Sequence, residues 1–301
     1  MATKNHNRVG IPREDKIMYT IIYIAMGLLL VTVLYPLIYV VSSSFSSGLA
    51  VSSGKVLLWP VEPSITGYKI IFSYKLVWTG YFNTILVTVV ATTINVLLTI
   101  CAAYPLSRRD FIGRNFYMTL FMITMFFSGG LIPNYILMSR LNLTNTRWSV
   151  ILAGAISVTN MIIMRTYFIN SIPSDLFDAA RIDGINDWGY LFRIVLPLSR
   201  AIMAVIVLYY AVAHWNSYFN AMLYIRDRDL YPLQIVLRDI LNVSKIDLSQ
   251  ITDAEVLAQM TGAADLIKFA LIVVSAVPIL SAYPFVQKYF EKGVMIGSVK
   301  G

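Results

Sequence analysis

Residues 17–41 read IMYTIIYIAMGLLLVTVLYPLIYVV, and no charged side chain interrupts them. The run is longer than the roughly 20 residues a helix needs to cross a bilayer. It is also longer than the apolar core of a cleaved signal peptide, about 7–15 residues, although the following Ser42-Ser-Ser would permit cleavage. An uncleaved first span is the expectation. The whole chain shares this character, with 57% apolar and 13% charged residues and a mean hydropathy of +0.68. A soluble domain carries about a quarter charged residues. Further apolar stretches at Phe82–Tyr104, Phe116–Met138, Ser149–Thr166, Ser199–Phe219 and Leu266–Val286 complete an expected all-α integral membrane fold of six transmembrane helices. The fourth holds Thr159, Asn160 and Arg165 in or near it, and polar groups in a span face a bundle interior or a cavity. Runs this long exclude an outer-membrane barrel, whose strands alternate over about ten residues.

The net charge of +8 raises nucleic acid as a partner, but the cations sit beside the apolar runs rather than on one basic face. No nucleic acid is expected. Membrane lipid is. Arg13 and Lys16 with Lys4 and Arg8, then Arg108, Arg109 and Arg114, then Arg165, Arg181, Arg193 and Arg200, and finally Lys288, Lys292 and Lys300 fall on alternate connections. The intervening cations are spread over longer loops, where they count for less. Both termini are therefore expected in the cytoplasm (N-in/C-in), with the loop between the fourth and fifth spans. The expected organisation is an amino-terminal arm (1–16), a first helix with its outer loop (17–81), a core of five helices (82–286) and a cytoplasmic tail (287–301). Cys101 reads as a small packed apolar residue, and Pro232–Arg238 as an amphipathic helix lying at the surface.

The cytoplasmic loop is unusually structured for a membrane protein's connection. Pro173 ends the preceding chain and Ser174 is placed to cap a new helix. Asp175 and Asp178 fall where the helix dipole favours negative charge. Leu176, Ala179, Ala180 and Asp183 share spacings of three and four and so lie on one side. Gly184 permits the left-handed backbone that stops a helix. Asn186 or Asp187 then caps a second short helix, and Leu196-Pro197 leads into the fifth span, proline being tolerated in a first turn.

This segment, Asp178-Ala179-Ala180-Arg181-Ile182-Asp183-Gly184 followed by Ile194-Val195-Leu196-Pro197, resembles the "EAA" loop of ABC importer permeases. Its Ala-Ala-x-x-Asp-Gly form is similar to the carbohydrate-importing, maltose-type branch. So are Gln287–Gly301 at the carboxyl terminus and, for oligosaccharide importers, Phe127-Ser-Gly-Gly130-Leu-Ile-Pro133. The family's leading glutamate is Asp178 here, one methylene shorter, which alters the reach of any pairing with an arginine on the ATPase. The resemblance implies a bacterial, multi-pass protein of the cytoplasmic membrane and a non-catalytic permease subunit. It implies two ATPase subunits that bind ATP and Mg, a second homologous permease forming a heterodimer, and an extracellular sugar-binding protein that delivers an oligosaccharide. The coupling helix would lie in the 174–188 loop, with Asp178, Ala179, Ala180, Asp183, Gly184, Ile194, Leu196 and Pro197 as docking residues. The tail would contact the ATPase pair.

The chain has no Gly-x-x-x-x-Gly-Lys-Ser/Thr run, so it lacks that route to ATP hydrolysis. With His6, His214 and Cys101 as its only histidines and cysteine, no metal site is expected. A neutral polar ligand suits aromatic faces and amides, so the candidate path residues are Asn95, Asn160, Tyr209, Tyr210, His214 and Asn216, with Tyr104 beside them. His214 reads first as a satisfied interior histidine, and Trp215 and Tyr218 as markers of the membrane interface. A proton-coupled carrier would need ionisable groups deep in the spans, and a membrane enzyme would need paired carboxylates or a nucleophile and base. Neither pattern is present.

Overall fold

The computed structural model describes residues 13–244 and 254–298. Lys4, Arg8 and Lys300, together with the last residues of the Gln287–Gly301 motif, lie outside them. The described chain is helical: α1 (Arg13–Ser44), α2 (Gly48–Ser52), α3 (Thr66–Ser73), α4 (Lys75–Ser107), α5 (Arg114–Phe126), α6 (Leu131–Arg140), α7 (Arg147–Leu152) and α8 (Val158–Ser171). There follow α9 (Ser174–Ile182), α10 (Asp187–Tyr190), a π turn at Leu191–Val195, α11 (Leu196–Leu198), α12 (Arg200–Trp215), α13 (Phe219–Tyr224), a 3-10 turn at Arg228–Leu230, α14 (Leu233–Ser244) and α15 (Ala254–Ser298).

Three stretches are long and apolar enough to cross a membrane: Asp15–Ser44, Lys75–Ser107 and Gly262–Pro284. Along α1, Ile21, Tyr23, Leu28, Leu30 and Val31 are all exposed. An apolar surface of that extent needs lipid or another protein as its neighbour. Two further apolar stretches are bent. The expected third span is α5 and α6 meeting at 112°, because Ser128-Gly-Gly130 breaks it, with Gly130 at φ +85°. The expected fifth span, Ser199–Phe219, begins at an 83° corner between Asp187–Leu198 and Arg200–Trp215. The expected fourth span is divided into α7 and α8 by Ala153–Ser157.

By Cα proximity the chain forms two units, residues 1–71 with 245–273, and 72–244 with 274–301. In the first, Tyr39, Val61 and Phe269 pack against the buried Ala50, Val51 and Val56, Tyr39 meeting Phe269 edge-on with ring centroids 5.5 Å apart. Ser42, Ser43, Ser44 and Ser46 are buried here; Ser42 donates to the Leu58 carbonyl at 2.7 Å and Tyr68 to Ser44 Oγ at 2.8 Å. Gly48 and Gly262 face each other across two helices, and a Cβ on either would sit 2.7 Å from the other's backbone.

The second unit is built on α4, against which α7, α8, α12 and α14 all pack. Its buried face carries Gly80, Thr84, Ala91, Thr92, Thr99 and Ala103, small residues that let helices approach where lipid supplies no hydrophobic drive between them. The expected surface helix after Pro232 is α14, but Leu233, Ile235, Val236 and Leu237 are buried and the Leu233 N–H donates to Thr84 Oγ1 at 2.8 Å. Its apolar face turns into the protein rather than along the surface. Cys101, expected to be packed, is exposed.

The candidate docking loop and the polar belt

The loop after α8 folds much as its residue types dictate, with two shifts. Pro173, not Ser174, holds the N-cap position of α9, and the Ser174 hydroxyl turns to Asp175 at 3.4 Å. The stop at Gly184 is a Schellman closure. Gly184 has φ +73°, its N–H donates to Arg181 O at 3.1 Å and the Ile185 N–H to Ala180 O at 2.9 Å, satisfying carbonyls a helix end otherwise orphans. Asn186, the first of the two expected caps, accepts the Gly189 N–H on Oδ1 at 2.7 Å.

The second shift concerns Leu196-Pro197, expected at the start of the fifth span. Instead α10 continues through the π turn into α11, and the fifth helix starts after Ser199. A proline ring collides with the carbonyl four residues back in an α-helix. The wider π turn, with the Leu196 N–H reaching Leu191 O, comes just before Pro197 and opens that register.

The predicted docking residues are not all presented alike. Asp178, Ala179, Asp183, Gly184 and Pro197 are exposed, Ile194 and Leu196 half-buried, and Ala180 buried at 4% exposure. Ala180 belongs to the core that includes Ala103, Phe168, Tyr190 and Ile206, so the expected common face of Leu176, Ala179, Ala180 and Asp183 is divided. Beside the exposed acids stand bare apolar groups. Ile182 is 87% exposed, and Trp188 and Phe192 stack with centroids 6.1 Å apart.

Arg108 holds this loop in place, a role no sequence reading assigned it. Its guanidinium lies 3.1 Å from the centroid of the Phe177 ring. It also donates to Asp110 through Nε at 3.0 Å and Nη2 at 2.8 Å, and Nη1 stands 3.8 Å from Asp187 Oδ1. Arg108 follows directly on α4, Phe177 is on α9 and Asp187 opens α10. One largely buried cation therefore ties three elements together, and its hydrogen bond holds the Asp110 carboxyl below the ordinary aspartate range. The only sequence signal was an arginine beside an apolar run, which positive-inside reasoning absorbs.

Further along α4, four of the candidate path residues sit among polar groups that largely satisfy one another. With its amide oxygen accepting from His214 Nε2 at 2.7 Å, Asn95 donates to the Ala91 and Ala155 carbonyls at 2.9 and 3.2 Å. The Tyr210 hydroxyl lies 2.8 Å from Thr99 Oγ1 and accepts the Ser157 N–H at 3.0 Å. Asn160 is buried, its N–H reaching Ser157 Oγ at 3.3 Å. Tyr209 and Asn216 are exposed, Asn216 closing α12 on the Val212 carbonyl. Trp215, expected at the membrane interface, is buried, and Nε1 donates to Ser275 O at 3.0 Å.

A helical chain with this loop and belt matches the model of the binding-protein-dependent transport system inner membrane component family over residues 95–296. The chain belongs to that family. It is a multi-pass permease. It is 42% identical over 269 residues to the polygalacturonan/rhamnogalacturonan transport system permease protein YtcP of Bacillus subtilis (strain 168), covering 88% of this permease and 92% of that protein. The arabinooligosaccharides transport system permease protein AraQ of Halalkalibacterium halodurans is 28% identical, covering 89% and 91%. Among solved structures, a bacterial ABC transporter involved in the import of the acidic polysaccharide alginate aligns with a TM-score of 0.80 at 34% identity, covering 93% of this permease and 99% of that chain.

Proposed function

We propose that this permease forms half of the translocation path of an ATP-binding-cassette importer for an acidic oligosaccharide delivered by an extracellular binding protein. A second homologous permease stands beside it as a heterodimer, and two ATPase subunits carrying ATP and Mg dock on the 174–188 loop. The three long apolar spans, the bent α5–α6 pair, α7–α8 and α12 make six crossings with both termini in the cytoplasm. Residues 1–16 form an arm, 17–81 the first helix and outer loop, 82–286 the core and 287–301 the tail.

The observation that carries the docking reading is the face left bare on the loop. Asp178 and Asp183 stand with the apolar Ile182, Trp188 and Phe192 on short helices outside the long apolar ones, and such a patch requires a cover. ATP-driven closure would bind one state of this surface better than the other, as any driven conformational change requires. The acidic substrate class is supported by the relatives named for polygalacturonan/rhamnogalacturonan and for alginate. Asn95 and Tyr210 would set the helix geometry of the path, while the exposed Tyr209 and Asn216 would meet sugar.

The test is purification of the chain from its native membrane in mild detergent, followed by reconstitution with what accompanies it. Expected are an ATPase, a second permease and a sugar-binding protein, and ATP-dependent uptake of trigalacturonate in preference to maltotriose. Recovery of the chain alone with uptake intact would overturn the docking reading. Equal uptake of the two sugars would overturn the acidic class.

A further inference from the structure

A cavity of about 730 Å³ opens between the 108–114 connection, the end of α8 and the start of α9. Its walls include four arginines, Arg108, Arg109, Arg114 and Arg181, and two aspartates, Asp110 and Asp178. Among the described residues the ion pairs are those of Arg108 with Asp110 and Asp187. Arg181 also acts on Asp110, and with four arginines against two aspartates the lining has two positive charges in excess. Arg165, its Nε fixed on the Leu106 carbonyl at 2.8 Å, adds to the positive field at Arg114.

The position is as telling as the charge. The connection runs from the end of the apolar α4 at Ser107 to the start of the apolar α5 at Arg114, which is where a bilayer's hydrocarbon gives way to headgroups. Phe168 and Ile169 supply an apolar wall beside the arginines. We infer that this cavity binds the headgroup phosphate of an anionic phospholipid, with Arg109, Arg114 and Arg181 as its donors and the α8 end against the first methylenes of the acyl chains. Basic pockets at helix ends select anionic lipids in this way, and guanidinium groups match phosphate oxygens in pairs. The site borders the proposed ATPase dock, since Asp178 and Arg181 are on α9, but Arg109 and Arg114 lie on the 108–114 connection and can be tested apart from it.

The experiment is native mass spectrometry of the full chain in mild detergent, titrated with dioleoyl phosphatidylglycerol or dioleoyl phosphatidylcholine. Expected is selective retention of phosphatidylglycerol, weakened about tenfold in the Arg109→Gln/Arg114→Gln variant and by less in Arg109→Lys/Arg114→Lys, which preserves charge but not the paired guanidinium contacts and guards against a folding defect. Inorganic phosphate at millimolar concentration is expected not to displace the lipid. Equal retention by the wild type and the glutamine variant would overturn the site. So would arginine-dependent binding of free phosphate without selective phosphatidylglycerol retention.

Discussion

The guanidinium of Arg108, just past the end of α4, lies over the Phe177 ring of α9 at 3.1 Å from its centroid. A desolvated contact of this kind contributes about 2 kcal/mol, and here it joins the loop that is expected to move to the helix around which the unit is packed.

Removing either partner should therefore uncouple the loop while leaving the chain inserted. Arg108→Gln and Phe177→Leu are each expected to lower substrate-stimulated ATPase activity of the assembled importer by about tenfold, with unchanged membrane yield. Full stimulation in both variants would show that the contact transmits nothing.

Gly184→Pro is a sharper change at the same loop. Proline fixes φ near −65° where the chain has +73° and removes the N–H that donates to Arg181 O. The chain should still insert, because Gly184 lies outside the long apolar helices, but stimulated ATPase activity should disappear. Preserved stimulation would count against docking at this loop.

At the other end of α4, fully buried Asn83 donates to the carbonyls of Asp229 and Tyr231 at 2.7 and 3.1 Å and accepts from Arg147 Nε and Nη2 at 3.0 and 2.9 Å. Asn83→Ala leaves a guanidinium and two carbonyls without that partner, at a cost of about 2–3 kcal/mol. A thermal shift assay in detergent should show a melting temperature several degrees lower. Asn83→Asp, which can still accept from Arg147 but cannot donate, should fall between.

Gly262→Ala asks a backbone carbonyl to move, since the new Cβ would sit 2.7 Å from Gly48. Overpacking against rigid backbone costs about 1–3 kcal/mol, and the variant should be cleaved sooner in limited proteolysis than the wild type. An unchanged cleavage rate would mean the two helices separate freely.

Acid should loosen the loop's anchor. Asp110 has a folded pKa below its ordinary value of about 3.9 because Arg108 hydrogen-bonds its carboxylate. A depressed carboxylate contributes stability that is present above the unfolded pKa and lost as pH falls through the folded one. The hydrogen-exchange protection factor at the 108–113 connection should fall below about pH 4, and this pH step should be absent in Asp110→Asn.

Much of this architecture could be read from the chain, for identifiable reasons. The apolar runs at Ile17–Val41 and Phe82–Tyr104 needed only hydropathy, and Gly184 and Asn186 act through local backbone chemistry that a short window contains. The breaks at Ser128-Gly-Gly130 and Ala153–Ser157 were visible as residue types, but averaging over a span-length window concealed them. Arg108 on Phe177, and Asn83 on Arg147, join residues 69 and 64 positions apart in sequence. No periodicity marks such pairs, because each is made by the packing of a helix that the pattern treats alone. The same limit explains α14, whose amphipathic pattern is correct but whose apolar side found protein rather than the membrane surface.

Helix α4 runs unbroken from Asn83 to the turn before Arg108, about 37 Å at 1.5 Å per residue, with Pro105 confined to its final turn. A rod clamped at both ends acts as a crank. Tilting its loop end by about 5° would displace the Asn83 end by about 3 Å if the rod stays stiff, more than the Arg147 and Asp229 hydrogen bonds can stretch. A movement begun at Phe177 would thereby reach the far side as a choice between keeping and breaking the Asn83 knot, turning a graded push into a two-position latch.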